Sequence, residues 1–475
     1  MADIRYLVVS DLHLGASNSI LTRLTPDLKG TVPHEPSDLI RHYVECLLQI
    51  VSSNADDRPV TLILNGDFLE LALAGMNESA MVFENFITLL MSDPRARRLA
   101  PTILCLAGNH DHHLWNAARE TRYTTRYVAR TAPGEYLEQE SFVTEMIEKP
   151  SLEKIPLDFL NALTQRLPNL GGVNFETVYP NYALLNAEKT RCVVIHHGHF
   201  VESIYSLMTS LKDALFPERD PILTLSELEA ENGAWIDFFW STLGRSGQVG
   251  ADVELIYDKM QDPPQLEALF RNLALEMAGA LPPRWGWAHA LKSSFLAVLL
   301  RRILGGVAKR EVHKTGGTLS ADADAGLTRY LGSFITAAVR AENEGTLPPE
   351  LTFIFGHTHK PFESLRRVDG VAQEIQVLNS GGWVVDTLHP DPLHGAAVIL
   401  VDDELNTASI RMYNESDAAQ EGGVTIASAA EGNPLAEELK SRLDLQAPCW
   451  KTMAASAQAA IRDHRQNLNF KVDES

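Results

Sequence analysis

Thr102-Ile103-Leu104-Cys105-Leu106-Ala107 runs directly into Gly108-Asn109-His110-Asp111. An apolar run of strand length ends at a glycine, and an amide oxygen, an imidazole and a carboxylate then fill three consecutive positions. Alone, this is a polar turn after a buried strand. The pattern recurs, however. Residues 4–9 lead to Asp11-Leu12-His13, residues 60–64 to Asn65-Gly66-Asp67, residues 192–195 to His196-His197-Gly198-His199, and residues 351–355 to Gly356-His357-Thr358-His359. Ligands of open α/β sheets bind outside the carboxyl ends of the strands. Five polar clusters in that one local context therefore point to a single shared site.

Working outward from the opening stretch, the chain alternates. After the first strand, Ser37 can cap a helix whose Ile40, Tyr43, Val44, Leu47 and Leu48 keep helical spacing. A strand (60–64), a helix (79–91) and the strand 102–107 follow. That order predicts an α/β fold with parallel pairing and right-handed crossovers. Residues 114–170 read as irregular and mostly helical. Residues 182–186 and 192–195 read as a strand pair around a charged turn. From 201 to 346 the chain is rich in Leu, Ala, Glu and Arg with aromatics, enough for four or five helices. Strands return after Leu347-Pro348-Pro349, at 351–355 and 374–378, and 396–401 with 408–413 suit a hairpin. The expected organisation is a core of 1–200 and 347–413, a helical insertion at 201–346 that could cap the site, and a linker with a helical tail at 414–475.

Composition narrows the class. At 475 residues and 45% apolar, a sizeable core is available. The net charge of -21 argues against broad nucleic-acid binding, which needs a basic surface. Cys46, Cys105, Cys192 and Cys449 form no CxxC pair, which suits a reducing compartment. With the first strand read at residues 4–9, no leader segment is expected before it, and no apolar run in the sequence is long enough to span a bilayer. The expected location is the cytoplasm, in solution or peripheral to a membrane.

The clusters offer two carboxylates (Asp11, Asp67), four imidazoles (His13, His197, His357, His359) and one amide oxygen (Asn109), with His110 spare. This oxygen and nitrogen set lacks thiolate. It suits Mn, Fe or Zn rather than a structural zinc or a calcium site. Seven ligands are too many for one ion. If one carboxylate bridges, they divide into two sets of four, and two divalent ions about 3.5–4 Å apart can hold a hydroxide and clamp an in-line displacement at phosphorus. In Asp-x-His and His-x-His, alternate residues of an extended segment face one side. Glycines 66, 108, 198 and 356 are expected to let the backbone turn sharply beside the site.

These motifs, in this order, resemble those of calcineurin-like metallophosphoesterases, and Asn379-Ser380-Gly381 resembles the turn that follows the last motif in that family. The resemblance covers about residues 1–200 and 347–413. It implies a four-layer αββα sandwich of two mixed sheets, here carrying a large helical insertion. It implies one metal at Asp11, His13, Asp67 and His359, and a second at Asp67, Asn109, His197 and His357, with Asp67 bridging. It implies His110 as general acid or charge stabiliser at the leaving oxygen, with Asp111 orienting it. Glu70 is the nearest candidate for the family's carboxylate after Gly-Asp. The implied activity is hydrolysis of a phosphomonoester, phosphodiester or pyrophosphate bond by water, without a covalent phosphoenzyme. The substrate would be a phosphorylated small molecule or a nucleotide-linked one. Two alternatives stand beside it: a pyrophosphatase of the UDP-sugar-lipid type at a membrane surface, and a scaffold using the fold without catalysis. A scaffold should have lost ligands, and all seven positions are filled.

Other residues carry bland readings beside sharp ones. His112 and His113 read as solvated or supporting rather than substrate-binding, and His196 as a core or supporting residue on the face opposite His197. His199 is open between a supporting and a substrate-facing role. Trp235, Phe238, Phe239, Trp240, Trp285 and Trp287 read first as a helical core and second as a cap over the site. Between 284 and 314, Arg284, Lys292, Arg301, Arg302, Lys309, Arg310 and Lys314 face one acid, Glu311. That stretch suits a packed helix with a solvated basic face, contact with an anionic membrane, or a hold on substrate phosphates.

Overall fold

The computed structural model describes residues 2–242, 317–415 and 423–474. The apolar runs that precede the polar clusters become the centres of two sheets. In the first, β1 (Ile4–Val9), β2 (Thr61–Asn65) and β3 (Thr102–Leu106) pair in parallel and in register. They are joined by α1 (Asp38–Ser52) and α2 (Met76–Met91). Ser37 caps α1 by accepting from the Ile40 N–H at 3.1 Å. The helically spaced residues after it are buried against the sheet.

The remaining helices are α3 (His112–Arg122), α4 (Asp158–Gln165), α5 (Leu207–Leu215), α6 (Leu225–Ile236), α7 (Ala321–Arg329), α8 (Thr336–Glu342), α9 (Pro434–Arg442) and α10 (Pro448–Glu474). The other strands are β4 (Ile155–Pro156), β5 (Asn174–Thr177), β6 (Asn181–Leu185), β7 (Arg191–His196), β8 (Glu350–Phe355), β9 (Phe362–Arg366), β10 (Ile375–Asn379), β11 (Gly395–Asp402), β12 (Thr407–Asn414) and β13 (Thr425–Ala427). The first sheet runs β13-β12-β11-β1-β2-β3-β5-β4 and the second β6-β7-β8-β10-β9. Both are mixed: β11 is antiparallel to β1, β6 is antiparallel to β7, and β7, β8 and β10 are parallel.

Three apolar layers hold these sheets in a sandwich. Val8, Ile63, Leu104, Ile195, Ile354 and Ile399 fill the space between them. On the outer face of the first sheet lie α1, α2 and α10, the last through Trp450, Met453, Ala457 and Ile461. On the outer face of the second, Leu228, Ile236, Leu327 and Tyr330 pack against Val194, Phe353 and Phe355. The result is the expected αββα order.

Several expectations change. The described helices between 201 and 346 form the outer layer of the second sheet, because its face would otherwise be exposed and apolar. Residues 114–170 keep the irregular, mostly helical character read from the sequence, with the rest of α3, short helical turns and α4, but also hold the two-residue strand β4. The stretch expected as a linker contains β13, which pairs with β12 through Ser409, Ile410 and Arg411. Trp285, Trp287 and the basic stretch 284–314 lie outside the described residues. Among the described residues, no helix is long and apolar enough to cross a membrane.

Candidate metal centre

Parallel pairing puts the carboxyl ends of β1, β2 and β3 on one edge of their sheet, and those of β7 and β8 together on the other sheet. The chain leaves these strands by an unusual path. Asp11, His13, Asp67, His357 and His359 all have positive φ, at 51°, 44°, 48°, 69° and 55°. The left-handed region costs an L-residue about 1–2 kcal/mol, and such outliers gather at functional sites. The extended Asp-x-His and His-x-His segments expected from sequence are therefore corrected. Each of these five ligands sits at its own left-handed kink, held by main-chain bonds such as Asp11 N–H to Gly66 O at 3.0 Å and His13 N–H to Asp67 O at 2.8 Å.

The expected use of the glycines is also split. At Gly66 and Gly198 φ is positive, as a sharp turn needs. At Gly108 and Gly356 the requirement is close approach. A Cβ on Gly108 would lie 2.2 Å from Asp67 Oδ1, and one on Gly356 would lie 2.1 Å from Asp11 Oδ2. Both carboxylates thus rest directly on glycine backbone.

The side chains converge as three candidate metal-binding groups among the described residues; one of them, His13 with Glu70 and His110, shares His13 with the first of the two that hold the expected ligands. Of those two, Asp11, His13 and His359 form the first, and Asp67, His197 and His357 the second, each with its ligand atoms within 4.8 Å of one another. Asn109 Oδ1 lies 3.1 Å from His197 Nε2, which is also 3.1 Å from Asp67 Oδ2. Asp67 Oδ2 lies 3.9 Å from His13 Nε2, so this carboxylate stands between the two groups.

The tautomers make the chemistry explicit. Asn65 O can only accept, so His197 Nδ1 at 3.1 Å carries a proton and donates it there. In the neutral ring, Nε2 then presents a lone pair to Asp67 and Asn109, both of which also present lone pairs. His13 Nδ1 lies 2.9 Å from Glu70 Oε2, and His359 Nδ1 lies 2.5 Å from Asp386 Oδ2. Their Nε2 atoms are left facing each other at 3.3 Å. Acceptors crowded against acceptors in a buried space call for cations between them. The donor set, carboxylate, imidazole and amide without thiolate, fits two divalent ions.

Three carboxylates support the histidines. Glu70 bonds both His13 Nδ1 and, at 2.9 Å, His110 Nδ1. Asp386 bonds His359, and Glu202 lies 3.2 Å from His357 Nε2. A carboxylate on the far nitrogen of a ligand ring fixes its tautomer and orientation. Asp386 and Glu202 escaped the sequence reading because neither stands in a motif. Glu70 did carry a signal, its place three residues after Asp67.

Asp111 requires a correction. It was expected to orient His110. Its carboxylate instead accepts from the main-chain N–H groups of Gly108 at 2.7 Å, Phe68 at 3.0 Å and Leu69 at 3.3 Å. Tying the turn after β2 to the turn after β3 consumes both its oxygens, and Glu70 holds His110. Burial pushes the Glu70 carboxyl upward, but the charges and hydrogen bonds of His110 and His13 win and hold it down to about 2. Burial opposes charge on His110 too, yet Glu70 and Asp67 lift its pKa to about 9.

The other histidines separate cleanly. His196 is fully buried and packs against Phe200, Tyr330 and Phe353, a core residue as expected. His112 is fully buried; its Nε2 meets Glu229 Oε1 of α6 at 2.9 Å. Tyr179 OH donates to the other Glu229 oxygen at 2.9 Å and lies 3.4 Å from His199 Nε2. His113 Nδ1 faces Asp237 Oδ1 at 3.4 Å. These contacts lock α6 to α3. Beyond α6, Ser241 Oγ donates to Asn109 O at 2.6 Å, Trp240 packs on Tyr205, and Tyr205 packs on His357.

Residues 4–226 match the family model described as calcineurin-like phosphoesterase. This stretch is a calcineurin-like phosphoesterase domain. The family is one of metal-dependent phosphoric ester hydrolases. The matched stretch contains the clusters from Asp11 to His197. His357 and His359 lie beyond it and reach the same candidate site because β8 pairs in parallel with β7. No curated protein matches the chain.

Proposed function

We propose that the chain is a dinuclear-metal-dependent phosphoesterase that hydrolyses a phosphomonoester, phosphodiester or pyrophosphate bond. Asp11, His13, Asp67 and His359 would hold one ion, and Asp67, Asn109, His197 and His357 the other. The observation that carries this reading is the pair of His13 and His359 Nε2 atoms facing at 3.3 Å while both Nδ1 atoms are committed to carboxylates. When bound, two divalent ions, Mn, Fe or Zn, supply Lewis-acid polarisation of the phosphoryl group and a lowered pKa for the attacking water.

The chain's own residues do the rest. Glu70 fixes His110 Nδ1 and with it the direction of the ring, so that in this reading Nε2 serves the leaving group. With its pKa lifted to about 9, His110 is protonated at neutral pH. It can donate to the leaving oxygen or balance its charge, and its side chain is 13% exposed, open enough to meet substrate. Asp111 acts through the backbone, fixing the loop that carries Asn109 and His110. The catalytic core in this reading is 1–200 with 347–413, interrupted by 201–346 and followed by 414–475.

A second reading is a pyrophosphatase of the UDP-sugar-lipid type, working peripherally at a membrane from the cytoplasm. Its support is the aromatic row from Trp235 through Trp240 to Tyr205 and His357, with Phe238 of the same segment 56% exposed. Sedimentation with anionic liposomes at low salt tests it, and absence of binding removes it. The main reading is tested by hydrolysis of a chromogenic phosphomonoester and phosphodiester with added Mn²⁺ against a chelator control. Metal-dependent turnover of either is expected. No turnover of both, with no metal in the purified protein, overturns the reading.

A further inference from the structure

The helix α10 ends far along the chain from every candidate ligand, yet its polar residues grip the backbone on either side of Asp386, the carboxylate behind His359. Its apolar face is spent on α1 and the first sheet through Trp450, Met453, Ala457 and Ile461. One turn further on, a different set of contacts begins. His464 Nδ1 donates to Ser17 O at 2.7 Å, and Lys471 Nζ donates to Ser17 Oγ at 2.7 Å. Arg465 donates from Nη2 to Glu415 Oε2 at 2.7 Å and from Nε to Thr387 O at 3.4 Å. Glu415 also accepts from the Asp391 N–H at 3.2 Å.

Ser17 and Thr387 belong to two segments that meet around Asp386, and Glu415, just past β12, anchors Arg465 beside them. Residues 17–20 pair with 383–386: Val385 N–H donates to Asn18 O and Ile20 N–H to Trp383 O, both at 2.9 Å. Asn18 Nδ2 donates to Asp386 Oδ1 at 3.2 Å, and Asp386 Oδ2 receives His359 Nδ1–H at 2.5 Å. Asp386 thus has one oxygen on each side of the junction. One is held by the segment that α10 grips through Ser17. The backbone next to it is gripped through Thr387.

Neither segment is regular secondary structure, so its position depends on such grips. The Asp386 side chain is 25% exposed, so packing alone does not fix it. A ligand imidazole is only as well placed as the carboxylate behind it.

We propose that Arg465 and His464 are positioning residues for His359, so that α10 sets the affinity of the ion held by Asp11, His13, Asp67 and His359 and leaves the other ion alone. This rests on the dinuclear reading above. It gives the last helix a role in the site: it braces the Ser17–Asn18 and Asp386–Thr387 backbone on which the Asp386–His359 bond is built.

The test is Mn²⁺ titration calorimetry on the full chain, comparing wild type, Arg465→Ala, Arg465→Lys and His359→Ala, with thermal melts alongside. In Arg465→Ala, one of the two affinities should fall roughly tenfold, the low end of what loss of a supporting contact costs. The other should stay at its wild-type value, and Arg465→Lys should recover most of the loss. In the double variant with His359→Ala, Arg465→Ala should have no further effect on the remaining ion, since the two act on one position. Unchanged affinities, or equal loss at both positions, overturn the proposal. A wild-type protein that takes up no metal overturns the reading beneath it instead. If Arg465→Ala does not fold, Glu415→Gln removes the same ion pair with little change of shape and is held to the same outcomes.

Discussion

Asp67 is the residue on which both candidate ion positions depend. Its Oδ2 lies 3.1 Å from His197 Nε2 and 3.9 Å from His13 Nε2, and its Oδ1 accepts the His110 N–H at 2.7 Å. Asp67→Asn should therefore remove metal and turnover together, as read by metal analysis and phosphoesterase assay. Retention of both ions in that variant would count against a bridging role. His110→Ala should separate the two readouts. Metal should stay bound while turnover falls by roughly 10²–10⁴, the usual contribution of a positioned acid. Metal loss in His110→Ala would refute its assignment.

Glu70→Gln should touch both, because Glu70 serves His13 and His110 at once. Without its charge the His110 pKa drops from about 9 toward its ordinary 6.5. An acid must be protonated to act, and activity is lost as pH rises through its pKa. The alkaline limb of the pH–rate profile should move to lower pH, and an unmoved limb would assign that limb to another group.

At the scale of elements, the outer helix layer is tied to the site by one buried carboxylate. Glu229, 1% exposed, joins α6 to His112 on α3 and to Tyr179. Glu229→Ala leaves His112 Nε2 and the Tyr179 hydroxyl buried without the carboxylate that joins them. Removing one member of a buried polar network costs about 3 kcal/mol, so the urea midpoint should fall by a corresponding amount. A change of a few tenths would show that water replaces the carboxylate.

Elements also show how far the sequence could be read. β1, β2, β3, β7 and β8 were legible because each is an apolar run ending at a polar cluster. The pair β11 and β12 was legible from its length and apolar character. β5, β9 and β13 were not. Glu176, Glu363 and Ser364 interrupt β5 and β9, and β13 is three residues long, so no periodicity develops. At the site, side chains that belong to motifs were legible. Asp386 and Glu202 were not, since a lone acid in a loop gains meaning only from the ring it touches. The exchange between Asp111 and Glu70 has the same cause. Adjacency in sequence suggested Asp111, but the left-handed kink at Asp67 turns Glu70 toward both imidazoles and leaves Asp111 to the backbone.

The whole molecule is closed by α10 lying across α1, and its polar half carries a pH dependence of its own. His464 is 3% exposed and donates from Nδ1 to Ser17 O. Burial lowers its pKa from 6.5 to about 4, so the folded chain holds the ring neutral where the unfolded chain would protonate it. The sign follows from proton uptake. Between about pH 6.5 and 4 the unfolded state binds the extra proton, so stability is fully present above that window and is lost as pH falls through it. The shift corresponds to about 3 kcal/mol across the window.

Glu415, beside Arg465, acts in the opposite sense. Burial lifts its carboxyl to about 7, so its folded form takes up protons over much of the same range. The raw stability profile therefore mixes the two. The difference between wild type and His464→Asn removes Glu415 and the metal-site histidines, which both proteins share, and the Asn amide can still donate to Ser17 O. Urea midpoints measured from pH 4 to 7.5 should show wild type losing stability relative to His464→Asn on acidification, with the gap closing toward neutrality. A difference that is flat with pH would mean that His464 titrates alike in the folded and unfolded chain, and that α10 is seated without the buried neutral ring.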